Sequence, residues 1–391
     1  NHMEQTLIYL SPNYIKSPKA HLIQSLSQFD YLSRNFSEAY YLSITSLNKR
    51  KLNQLIIDCS GLCKAPNGIT KLTRFSSFLL SSYLLSIFQL VQLFYILSKK
   101  SFKKEKIKIY SRNLLTSFLL TCLGFKNIFE FHSYQSKYIY NLMQRKIIKS
   151  KITGKVFISK SLKKILTNKI PKKNCFNCVV LHDSSLEYEN SETNNKISNY
   201  YLPSCLFKKS KINCIYTGTT TEGRGIELII KIASKLPNIN FIVIGKKSSQ
   251  LANQIPNNIY MTGHLSHQMT KIAIRLSDIA LHPTQSTLFL SNSKVNVTKY
   301  MSPLKLFDYM QSKTAIISSY FKVLDEIFVH DLDCFFVFKK DRVSEWVNAI
   351  KILSGNKVKR LRIAKNSFRL FNKQFSFKIR TKKILELFEI I

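Results

Sequence analysis

Short apolar runs alternate along the chain with longer stretches in which apolar positions recur every three or four residues. The first pattern suits buried strands and the second suits helices that cover them, so the alternation predicts parallel sheets of α/β type. In the first half, strands are expected at Leu7–Leu10, Tyr40–Ile44, Gln54–Asp58, Ile107–Tyr110, Ile128–Phe131, Val156–Ile158 and Cys178–His182. Helices are expected at Ala20–Ser33, Leu72–Ser98, Leu114–Leu123, Lys137–Lys149 and Leu162–Asn168. A polar stretch, Ser184–Asn199, then breaks the rhythm and reads as a linker. A second series follows with strands at Ile212–Thr217, Phe241–Ile244, Ile259–Thr262, Ile279–Leu281, Ala315–Ser318 and Phe335–Val337, and helices at Val343–Leu353 and Lys378–Ile390. Right-handed crossovers stack each series into a doubly wound sheet. The expected organisation is a Rossmann-like domain over 1–183, a linker over 184–210, a second Rossmann-like domain over 211–372, and a terminal helical segment over 373–391 that crosses back to the first.

Length and composition agree with two folded domains: 391 residues, 45% of them hydrophobic, with 10 glycines and 9 prolines. The segment Phe75–Leu97 is apolar enough to be weighed as a membrane span. Its seven Ser and Gln residues favour a long helix packed on the sheet, with an interfacial helix as the alternative. No leader pattern follows Asn1-His2-Met3, so a cytoplasmic location is expected. Net charge is +38, and 29 basic residues stand against 6 acidic ones before residue 183. Such a field attracts phosphate-rich surfaces, although lysine enrichment from an AT-rich genome has the same appearance. The eight cysteines lie mostly in apolar runs, as reduced thiols do. The lone Cys175-x-x-Cys178, with His182 beyond it, has no second pair to complete a zinc site.

Two segments carry candidate chemistry. Ile212–Leu228 reads as a strand, a loop with Gly218, Gly223, Arg224 and Gly225, and a helix. Glycines let backbone N–H groups approach phosphate, and Arg224 adds a cation. In Tyr300–Met310, Ser302 is expected to cap a helix with Pro303 at its first position; Lys305 supplies charge and Asp308 a carboxylate that can accept hydrogen bonds from a vicinal diol.

These segments, in order with IKIYSRN (Arg112), IFEFHSY (Glu130, His132), VFISKSLKKIL, VVLHDSS (Asp183), FIVIG, YMTGHLSHQ, SDIALHP and SPLKLFDYMQSKTAIISSYFKVLDEI, resemble the retaining family-4 glycosyltransferases of GT-B fold. That resemblance implies two Rossmann-like doubly wound domains facing across a cleft, and transfer of a sugar from a nucleoside diphosphate. It implies that Gly218, Thr219 and Arg224 face the diphosphate, that Ser302, Pro303, Leu304 and Lys305 cradle it, that Asp308 holds the ribose, and that Gly263, His264 and Leu265 lie near the base. His132 would meet the transferred sugar, with His132, Arg224 and Lys305 as the catalytic set. Lys19, His21 and Arg112 would lie on the acceptor side.

The sequence departs from the family in three places: Tyr300 stands where many members have a first glutamate, Thr219 where an arginine is usual, and LSPNYIKSPKAH in place of a glycine-rich loop. No metal and no cofactor is expected beyond the nucleotide sugar. The expected partners are a nucleotide sugar (UDP or GDP), a saccharide or lipid-linked acceptor of envelope polysaccharide or glycolipid synthesis, and an anionic membrane surface; no specific nucleic acid is expected. The rival readings are a non-catalytic binder of nucleotides or polyanions and another GT-B enzyme, a phosphorylase or epimerase.

Overall fold

Strands buried on both faces need continuous apolar runs rather than alternation, and the strands of this protein have them. The computed structural model describes residues 5–16, 20–59, 65–71, 82–100, 106–135, 137–187, 206–219, 223–245, 255–288 and 296–391. The chain divides into two units, Asn1–His182 with Phe377–Ile391, and Asp183–Ser376.

In the first unit the described elements are β1 (Thr6–Leu10), α1 (Ala20–Ser33), β2 (Glu38–Thr45), α2 (Lys49–Cys59), β3 (Ile69–Lys71), α3 (Ser82–Lys100), β4 (Ile107–Ser111), α4 (Leu114–Cys122), β5 (Asn127–Phe131), α5 (Tyr138–Lys149), β6 (Thr153–Phe157), α6 (Lys160–Thr167) and β7 (Cys178–Val180). The sheet is parallel with order β3-β2-β1-β4-β5-β6-β7. Register places Tyr9 beside Tyr41 and Tyr110, whose rings stack on either side of it at 5.3 and 5.1 Å. One face is filled by Leu22, Leu26 and Phe29 of α1 with Ile384, Leu387 and Phe388 from the end of the chain, and the other by Ile8, Leu42, Ile109, Leu93 and Leu120.

The second unit contains β8 (Asn213–Thr217), α7 (Ile226–Lys235), β9 (Asn240–Ile244), β10 (Ile259–Gly263), α8 (His267–Arg275), β11 (Ile279–His282), α9 (Leu304–Gln311), β12 (Ala315–Ser319), β13 (Phe335–Val337), α10 (Val343–Gly355) and α11 (Lys357–Leu370); α12 (Phe377–Ile390) returns to the first unit. Its parallel sheet has order β10-β9-β8-β11-β12-β13.

One expectation about elements is corrected, and two elements were not anticipated. Gln54–Asp58 is part of helix α2, not a strand: Leu52 and Ile56 are buried at helical spacing, and Asn48 accepts from Lys51 N at 2.8 Å to start the helix. The sheet edge is formed instead by β3, a three-residue strand with no apolar run to announce it. Helix α11 was not expected, because basic residues interrupt the apolar positions of its sequence KVKRLRIAKNSFRL; it buries Ile363 and Ala364. Of the expected helix Leu72–Ser98, residues 72–81 lie outside the described residues. No helix among the described residues is long and apolar enough to cross a membrane.

Candidate functional site

In the second sheet the strand order reverses between β8 and β11, and a doubly wound sheet opens to ligands beyond the C-terminal ends of such a pair. Beyond β8 lie Gly218 and Thr219, both exposed; beyond β11 lie Pro283 and Thr284. Gly223, Arg224 and Gly225 then lead into α7, whose cap is Gly225 with φ 87° and no side-chain bond to the first helical N–H groups. A Cβ on Gly225 would collide with the Pro283 carbonyl, so only glycine lets this turn close on the end of β11. Gly218 has φ 133°, and a Cβ there would stand 2.9 Å from Lys305 Nζ. Absence of a side chain leaves that ammonium group beside bare backbone.

Lys305 Nζ lies 4.4 Å from the centroid of the Tyr216 ring, and Tyr216 donates its hydroxyl proton to the Thr219 carbonyl at 2.7 Å. Burial, then the positive charge of Arg224, pushes the Lys305 ammonium down to about 7. Burial and the charges of Lys305 and Arg224 hold His282 well below its ordinary value, with its ring nitrogens against Ser318 Oγ at 2.9 Å and Thr284 Oγ1 at 3.0 Å. No ion pair among the described residues involves Lys305 or Arg224. Two cations that repel each other at a glycine turn, with no ion pair to either among the described residues, have the charge to attract a multivalent anion.

The start of α9 differs from expectation. Pro303 occupies the cap position and Leu304 begins the helix, without a side-chain cap. Ser302 does not cap it: its Oγ accepts from Asp183 N at 2.9 Å, because the incoming backbone competes for that hydroxyl. Its part is to fasten the chain that leads into this unit. Asp308, one turn on, accepts from Ser185 Oγ at 2.6 Å and lies 3.4 Å from His267 Nε2 and 3.9 Å from Lys271 Nζ. Burial alone would raise the Asp308 carboxyl; His267, Lys271 and Ser185 outweigh it, so the group stays below its ordinary value. Lys271 is 1% exposed, donates to Ser185 Oγ (2.7 Å) and the Leu186 carbonyl (2.5 Å), and is pushed by burial down to about 8 despite the Asp308 charge. Sequence reasoning missed Lys271 and His267, although their spacing of four in His267–Arg275 puts both on one helix face.

Gly263, with φ 80°, closes β10, and its carbonyl accepts from Gly245 N at 3.0 Å. His264 is exposed beyond it, while Leu265 packs on the core.

In the first unit the strand order reverses between β1 and β4, and Arg112 follows β4 directly. Arg112 donates to the His21 carbonyl at 3.3 Å and lies 3.3 Å from His132 Nδ1, while His132 Nε2 pairs with Glu130. The structure thus brings His21, Arg112 and His132 together; Lys19 lies outside the described residues. Glu130 is buried, takes the Tyr110 hydroxyl, and pairs with Arg380 of α12 at 2.6 Å. Burial would raise its carboxyl, and Arg380 and His132 more than reverse that. Arg380 also donates to the Leu181 and His182 carbonyls, each at 2.6 Å, and to Gln28 at 2.7 Å. No local pattern connects residues 130 and 380, so this cluster was not legible in the sequence.

Residues 203–369, which include the glycine turn and the start of α9, match the family model of Glycosyl transferases group 1. Over that stretch the chain is similar to the group 1 glycosyltransferases. A glycosyltransferase of Methanocaldococcus jannaschii is 25% identical over 312 residues, which is 75% of this chain and 71% of that protein. Among solved structures, the Anabaena protein HepE in complex with UDP is 12% identical over 99% of this chain and 100% of its own, with TM-score 0.67. A glycosyltransferase from Rickettsia africae is 14% identical over 99% and 98%, also with TM-score 0.67. At such identities the solved structures speak for the fold, two Rossmann-like α/β units, and the family match speaks for the activity.

Proposed function

We propose that the protein is a group 1 glycosyltransferase of GT-B type that moves a hexosyl group from a nucleoside-diphosphate sugar to a saccharide or lipid-linked acceptor, with retention at the anomeric carbon and without a metal ion. The observation that carries the reading is Lys305 beside Gly218 and within the field of Arg224, with no ion pair to either cation among the described residues. As the bond from anomeric carbon to phosphate oxygen breaks, negative charge builds on the leaving diphosphate, and fixed cations stabilise that charge without having to reorganise. Backbone N–H groups at the uncapped starts of α7 and α9 add to it. The acceptor hydroxyl attacks from the leaving-group side and passes its proton to the departing phosphate. Asp308, fastened by Ser185, His267 and Lys271, accepts from the ribose hydroxyls through its remaining lone pairs. Gly263, His264 and Leu265 lie toward the base, and His132 with Arg112 and His21 toward the transferred sugar and acceptor.

UDP is the first donor nucleotide to try, since the Anabaena relative is seen with UDP, and GDP is the second. The basic first half favours an acceptor presented at an anionic membrane, the arrangement of envelope polysaccharide or glycolipid assembly by a cytoplasmic, peripheral enzyme. The test is transfer from a panel of UDP- and GDP-sugars by wild type, Arg224→Ala and Lys305→Ala, with and without EDTA. Each variant should lose at least about tenfold of the rate, roughly the contribution of one charge-assisted hydrogen bond in a transition state; EDTA should change nothing. Wild-type rates in both variants remove the phosphate assignment. Consumption of orthophosphate with the donor left intact would favour a phosphorylase.

A further inference from the structure

Helix α3 has its polarity inverted. Its polar side chains point into the protein: Ser86 donates to Asn113 Oδ1 at 3.0 Å, Gln89 donates to the carbonyls of Ser11 (2.8 Å) and Leu42 (3.0 Å), and Gln92 donates to the Gly68 carbonyl at 3.0 Å. Leu85 and Leu93 are buried, but several of its large apolar side chains point to solvent. Tyr83, Ile87, Val91, Phe94 and Tyr95 are 43–60% exposed, and their spacing places them in one stripe along the helix. No charged residue occurs from Ser82 to Ser98. A surface helix that faces water carries the opposite pattern.

The stripe continues towards α5 through a hydrogen bond of 2.7 Å between the hydroxyls of Tyr83 and Tyr140. Helix α5 exposes Tyr138, Ile139 and Leu142, and beside them Lys137, Lys146 and Lys149 are exposed as well. Apolar side chains flanked by lysines match a layer that is apolar inside and anionic at its surface. A second copy of the chain is a poor occupant, because 60 basic residues against 22 acidic ones leave it little negative surface to meet those lysines.

We propose that the outer faces of α3 and α5 dock on an anionic lipid bilayer, with the apolar stripe at the acyl boundary and the lysines against headgroup phosphates. The inference deepens the membrane part of the proposed function and names the face that makes the contact. The helix lies along the surface, since none of the described helices is long and apolar enough to cross. The five apolar residues of α3 carry the binding energy and the lysines of α5 steer it.

The experiment is flotation with vesicles of phosphatidylcholine alone and with about one third phosphatidylglycerol, at low and high salt. Wild type should float with the anionic vesicles and lose part of that binding in high salt. Ile87→Asp with Val91→Asp should reduce binding at least about tenfold, since carboxylates then replace apolar side chains at the acyl boundary; Lys146→Glu with Lys149→Glu should reduce it mainly at low salt. Thermal unfolding of each variant checks the fold, and exposed positions should leave it unchanged. Wild type that stays with the protein fraction overturns the proposal, as does an Ile87/Val91 variant that floats unchanged. So does a wild-type dimer that this variant converts to monomer without altering vesicle binding. UDP-induced thermal shift, measured without lipid, should be the same in wild type and variants; it tests the donor site separately, so a lost shift and lost flotation point to different failures.

Discussion

Lys305 shows how one residue can hold both an energetic cost and a function. Its ammonium is charged up to about pH 7 in the folded protein and up to 10.5 when unfolded. The fold therefore opposes this charge fully below pH 7, and the cost is relieved as pH rises towards 10.5. Lys305→Met should accordingly raise Tm at pH 6 while abolishing nucleotide binding. In the wild type, UDP affinity should fall as pH rises from 7 to 9, by up to about tenfold per unit, with proton uptake on binding visible in calorimetry. Lys305→Arg should flatten that profile, because a guanidinium stays charged. An affinity independent of pH in the wild type would remove Lys305 from the phosphate contact. At Gly225, alanine meets both a strained φ and the Pro283 carbonyl; denaturant unfolding should show a loss of about 1–3 kcal/mol, with nucleotide binding lost alongside. For Asp308→Ala, donor KM should rise while Tm falls, since Lys271 then keeps a buried charge without its carboxylate. An unchanged KM would leave Asp308 a purely structural role.

At the scale of elements, the errors and successes of pattern reading have the same source. Strands β8, β9 and β12 are buried along their whole length and announce themselves as apolar runs. The run Gln54–Asp58 is just as apolar at its centre, yet the Asn48 cap and the pairing of β2 with β3 assign it to a helix. For α3 the sequence reveals a helix but not its orientation. The carbonyls of Ser11, Leu42 and Gly68 take its glutamines and turn that face inward. Asn113 joins two such elements: it caps α4 by accepting from Thr116 N at 3.2 Å and accepts from Ser86 of α3 as well. Asn113→Ala should cost about 1 kcal/mol for the cap and more for the stranded Ser86 hydroxyl, read from the urea midpoint.

Across the whole molecule, the first unit is completed by the far end of the chain. Helix α12 supplies Ile384, Leu387 and Phe388 to its core and Arg380 to buried Glu130. Removal of residues 377–391 should leave the first unit unable to fold to a cooperative transition, detected as loss of one calorimetric transition. Glu130→Gln in the full chain should destabilise by about 3–5 kcal/mol, because buried Arg380 and Arg112 then lose the carboxylate they share. The sequence alone determines the α/β class, most strands and the glycine turn, since burial on both faces demands apolar runs and phosphate loops demand glycine. Tertiary structure decides which charges are paired. It joins Asp308 to Lys271 and Glu130 to Arg380, and sets Lys305 in the field of Arg224 with no ion pair to either among the described residues. Pairing depends on distances between residues far apart in the chain, and those distances exist only after the sheets have assembled.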